Sequence, residues 1–149
     1  MGMFDAFDVT ASGLTAQRYR MDVISQNVAN ANTTRTEDGT PYVRKVVTFE
    51  EQSHHGASFH SIFGRTASKY EPSGVKVTGT HEDTKTEGNK VYDPSHPDAD
   101  ENGYVTYPNV NIITEMTNLI DASRSYEANA TAFDASKSMA VTGLNMGKQ

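Results

Sequence analysis

Five histidines and a run of acids are the side chains of this 149-residue chain best suited to chemistry. Such groups ligate metals or move protons when their spacing brings them together. His54 and His55 are adjacent, His60 lies five residues on, and His81 and His96 stand alone. There is no His-Glu-x-x-His, and no histidine pair sits four apart on an expected helix, so the histidines read as loop residues rather than ligands. Asp93, Asp98 and Asp100 invite calcium, but the loop lacks the Gly and terminal Glu of a helix–loop–helix calcium site. Serines are plentiful, yet no Gly-x-Ser-x-Gly elbow, phosphate-binding loop or Gly-x-Gly-x-x-Gly occurs. The chain has no cysteine, which excludes disulfides, thiolate metal sites and cysteine nucleophiles. The sequence thus points to no catalytic residue, no cofactor and no metal.

Charge narrows the partners. Thirteen basic against 19 acidic residues give a formal net charge of −6. Phosphate backbones and anionic membranes call for the opposite sign, so no nucleic-acid partner is expected. Residues 81–101 hold seven acids and two bases, which reads as a solvated loop. No apolar run approaches the roughly 18 residues a membrane span needs. The first residues carry aspartates and no cationic region, so no cleaved secretory signal is expected.

The elements follow from periodicity. Phe4, Phe7, Ala11, Leu14, Met21, Ile24 and Val28 recur at steps of three and four with one doubled step, as on one face of a helix reaching about Ala31. Gly13 is a weak point inside it. The run closes in Asn27-Val-Ala-Asn30-Ala-Asn32-Thr-Thr34, where an asparagine suits a left-handed cap. Residues 35–107 read as short strands and loops. Tyr42–Phe49 and Val75–Thr80 are the clearest strands, with a bulge expected at Gly79. Val91-Tyr92 and Tyr104-Val105 are shorter candidates, and Phe59, Ile62 and Phe63 form an apolar island. Asp93–Asp98 is turn-rich.

The last segment is the most regular. Ile112, Met116, Leu119, Ser123, Tyr126, Ala130, Phe133, Lys137, Ala140 and Leu144 alternate steps of four and three, with Asn109 or Asn111 as N-cap. At 1.5 Å per residue this helix would be about 50 Å long. The expected fold class is α+β: N- and C-terminal long helices form an antiparallel coiled-coil-like pair with a small β-rich insert between them. The expected division is 1–34, 35–107 and 108–149. Ile113 and Ile120 widen the last stripe beyond what one partner helix covers, so neighbouring molecules should complete the burial. A mean hydropathy of −0.61 agrees with a thin core. Until then both terminal segments are expected to be largely disordered.

The stretches Ser12-Gly-Leu-Thr-Ala-Gln-Arg18 and Asn27–Thr34 resemble the flagellar axial family of rod, hook and hook-associated proteins. Val91–Val105, Pro108-Asn-Val-Asn111, Glu115-Met116 and Ala122-Ser-Arg-Ser-Tyr-Glu-Ala-Asn129 are similar to its basal-body rod members. The likeness covers residues 4–50 and 74–148. Asn27, Asn30, Asn32, Asn109, Asn111, Arg124, Tyr126 and Asn129 carry its motifs. The resemblance implies a structural subunit that polymerises into the proximal rod and transmits motor torque to the hook. It implies export without a cleaved signal through the flagellar type III apparatus. The implied partners are the other proximal rod proteins, the distal rod protein and the MS-ring/rod adaptor. It assigns His96 to holding a Pro-rich turn, and Asn30 and Asn32 to capping or to the joint between layers. Another axial subunit, from the rod or the hook junction, and a soluble binding module are the alternatives.

Overall fold

A computed structural model describes residues 3–52 and 73–147; the side chains of Met3 and Phe4 lie outside the described residues. The order is α1 (Met3–Ala29), β1 (Lys45–Gln52), β2 (Gly74–Glu82), β3 (Asn89–Tyr92), β4 (Tyr104–Tyr107) and α2 (Ile112–Met146). Helices at both ends enclose two antiparallel two-stranded sheets, β1–β2 and β3–β4, which makes the fold α+β. The island around Phe59 and the histidines at 54, 55 and 60 lie outside the described residues.

α1 and α2 run antiparallel. Phe7 meets Phe133 edge to face with ring centroids 5.1 Å apart, Gly13 faces Asn129, and Asn27 bonds Glu115. Gly13 explains itself here. A Cβ at that position would stand 3.0 Å from Asn129 Oδ1, so the missing side chain lets α2 come close. The other side of α1 lies on the β1–β2 sheet. Ser12 Oγ accepts from Val75 N at 3.0 Å, and the hydroxyls of Tyr19 and Thr80 are 2.8 Å apart. Facing two partners, α1 buries Ala16, Val23, Ile24 and Asn27 rather than one simple stripe.

The helix ends depart in part from expectation. Asn111, not Asn109, caps α2: its side chain accepts from Ile113 N and Thr114 N. No described non-glycine residue has a positive φ, so neither Asn30 nor Asn32 forms a left-handed cap. Asn30 instead turns its amide back on Gln26 O at 2.9 Å, a second bond to a carbonyl that also accepts the Asn30 backbone N–H at 3.1 Å. The sheet register slips between Thr48 and Phe49, which pair with Gly79 and Val77, so a bulge falls beside Gly79.

The β3–β4 hairpin carries the turn-rich segment. Gly103 takes φ +79° and a Cβ there would meet Tyr92 Cε2 at 3.0 Å, a place only glycine fills without strain. Ser95 donates from backbone and hydroxyl to Asp93 Oδ1, and Asp98 N donates to His96 Nδ1 at 3.1 Å. His96 therefore holds this turn. Thr34 donates to Asp98 Oδ2 at 2.8 Å, tying the hairpin to the chain leaving α1.

Candidate assembly site

Where α1, β1 and α2 converge, the interior is polar. Asn27 and Glu115 are each 1% exposed. A carboxamide offers two N–H donors and two acceptor lone pairs. Asn27 fills all four: Nδ2 donates to Lys45 O at 2.8 Å and to Glu115 Oε2 at 3.0 Å. Its Oδ1 accepts from Lys45 N and from the Tyr42 hydroxyl, both at 2.9 Å. The side chain so replaces a neighbouring strand at the start of β1.

Glu115 takes its charge partner from β1's lead-in. Arg44 Nε and Nη2 both donate to Glu115 Oε1, at 2.9 and 2.7 Å. Arg44 Nη1 also lies 3.8 Å from Asp83 Oδ2. Burial raises the Tyr42 phenol above its ordinary 10.0, and the charges of Glu115 and Glu82 push the same way, so it stays a donor to Asn27. Asn109 extends the cluster. Its Oδ1 accepts from Arg44 N at 2.8 Å, and its Nδ2 donates to Asp83 O and Thr86 O.

A neighbouring face of α2 is apolar and uncovered. Ile112 is 42% exposed, Ile113 78%, Met116 54% and Ile120 53%. Met139, Val141, Leu144 and Met146 are exposed further along. Fully burying one such side chain contributes about 1.5–3 kcal/mol, so this face is a large unspent driving force.

The residues expected to form the seam are thus distributed over different surroundings. Ile24 is buried, and Phe7, Leu14, Met21, Val28, Leu119 and Phe133 are half-buried. Ile112, Met116, Tyr126 and Leu144 are exposed in the single chain, and Phe4's side chain lies outside the described residues. Of the motif residues, Asn27, Asn109 and Asn129 sit between elements, and Asn111 caps α2. Asn30 caps α1 locally, and Asn32 and Arg124 are exposed. Sequence reasoning missed Glu115 and Arg44. The available signal was a lone acid in the apolar opening of α2 and a lone guanidinium in a β-branched run.

No helix among the described residues is long and apolar enough to cross a membrane. No group of three His, Asp or Glu able to hold a metal occurs among them either.

Two family models match segments near the two ends of the chain. The family described as "Flagella basal body rod protein" matches residues 7–35. That described as "Flagellar basal body rod FlgEFG protein C-terminal" matches residues 101–146. Flagellar basal-body rod protein FlgC of Bacillus subtilis (strain 168) is 45% identical over 99% of this chain and 100% of its own length. The protein of the same name from Borreliella burgdorferi is 43% identical over 97% of each chain. That from Salmonella typhimurium is 37% identical over 99% of this chain and 100% of its own. With two terminal segments matching rod families and near-complete alignment to these relatives, the chain belongs to the FlgC family of flagellar basal-body rod proteins.

Proposed function

We propose that this chain polymerises into the proximal part of the flagellar rod and carries torque from the motor to the hook. The observation that carries the reading is the uncovered face of α2, Ile112, Ile113, Met116 and Ile120, on a helix of 35 residues. A shaft needs torsional stiffness, and close-packed long helices supply it. On this reading residues 1–34 and 108–149 are the assembly segments, and 35–107 is an outward insert. The helices extend their antiparallel contact into a coiled-coil-like seam that includes Phe4, Phe7, Leu14, Met21, Ile24 and Val28. Leu119, Tyr126 and Phe133 answer from α2. Ile112, Met116 and Leu144 meet neighbouring copies. The partners are the other proximal rod proteins, the distal rod protein and the MS-ring/rod adaptor, reached through the type III export apparatus. The role is structural, with no catalytic step.

The test is complementation. Expressed in a cell lacking its own FlgC, the tagged chain should enter purified basal bodies and restore swimming. Secreted chain that stays out of the basal body would overturn the reading.

A further inference from the structure

Two seams compete on α2. Both contain Leu119, Tyr126 and Phe133. One adds Glu115, Ala122 and Asn129; the other adds Ile112, Met116, Ser123 and Ala130. They differ by a roll of roughly one sixth of a turn about the helix axis. Apolar burial favours the second, because isoleucine and methionine replace a charge and an amide. The helix takes the first: Glu115 and Ala122 are buried, Asn129 faces Gly13, and Ile112 and Met116 stay exposed. Hydrophobic burial therefore does not set the rotation.

What the first seam gains is the polar cluster. In this orientation Glu115 reaches Arg44 on one side and Asn27 on the other. Rolling α2 toward the second seam would withdraw the carboxylate, leaving an Asn27 N–H unmet in a buried place and Arg44 without its close partner. Orphaned buried polar groups are costly, whereas satisfied ones can fix register at little net gain in stability. We infer that Glu115, Arg44 and Asn27 form a rotational key that decides which face of α2 meets α1. The key keeps the Ile112–Ile113–Met116–Ile120 face outward. These are positioning residues. The use of that face in assembly rests on the rod reading above; the rotation itself does not.

Thiol reactivity of the purified full-length chain, at concentrations where circular dichroism shows the helices formed, tests it, since the chain has no cysteine of its own. Met116→Cys and Ala122→Cys report the two seams. With the key intact, the thiol at 116 should react at least about tenfold faster than that at 122. In an Arg44→Met, Glu115→Leu background, which removes both charges together, the gap should shrink to about twofold or invert. Glu115→Gln, of the same size but uncharged, guards against failure of the double variant to fold and should narrow the gap at least about threefold. A gap unchanged in a folded variant overturns the key, as do equal rates in the parent. Absence of the parent chain from basal bodies would overturn the rod reading and leave this result untouched.

Discussion

Asn27 shows how much one short amide can carry. It closes the start of β1, receives the Tyr42 hydroxyl and contacts Glu115, with no hydrogen-bonding capacity left over. Arg44 neutralises the one buried carboxylate of the cluster. Arg44→Ala would leave Glu115 without that partner at 1% exposure, at a cost of about 3 kcal/mol, read as a lowered urea midpoint. The hairpin turn behaves differently because it titrates. The Ser95 hydroxyl, and after it the Ser95 backbone N–H, hold the Asp93 carboxyl below its ordinary 3.8. A group whose folded value is depressed stabilises fully above its unfolded value and loses that contribution as pH falls through the folded one. The hairpin should therefore be tightest above about pH 4 and loosen in acid. Carboxyl NMR should place Asp93's midpoint below 3.8, moving up toward it in Ser95→Ala; a midpoint unmoved by that change would dismiss the cause given.

At the scale of elements, α2 begins where Asn111 bonds two free N–H groups of its first turn. Asn111→Ala should cost about 1 kcal/mol in chemical denaturation, while Asn32→Ala, at an exposed position, should stay within about 0.5 kcal/mol. The cap, the long helices and the Val75–Thr80 strand were readable because each rests on neighbours in sequence. The alternation of the strand and the asparagine before the apolar run are local signals. The rotation of α2 was not readable, because Glu115 finds its partner 71 residues away and hydropathy scores it as a surface acid. The start of β1 was placed early for a similar reason. Tyr42 and Arg44 resemble strand residues, yet their groups serve Asn27, Asn109 and Glu115 instead.

At the scale of the molecule, the proposed rod role has the two faces of α2 divide folding from assembly. Leu119 is half-buried, so Leu119→Asp should destabilise the packed state of α2 by several kcal/mol. Ile113 is 78% exposed, so Ile113→Asp should leave the chain's melting point nearly unchanged. It should nonetheless abolish incorporation into basal bodies, because the charge would enter a contact between subunits. A melting scan beside a swimming assay separates the two effects. The most direct measurement is a density map of basal bodies containing this chain, at a resolution that shows side chains. The account predicts that Ile112, Ile113, Met116 and Ile120 lie against neighbouring rod subunits, with Glu115 still on Arg44 inside the chain. A map with that apolar face open to solvent in the finished rod would contradict it.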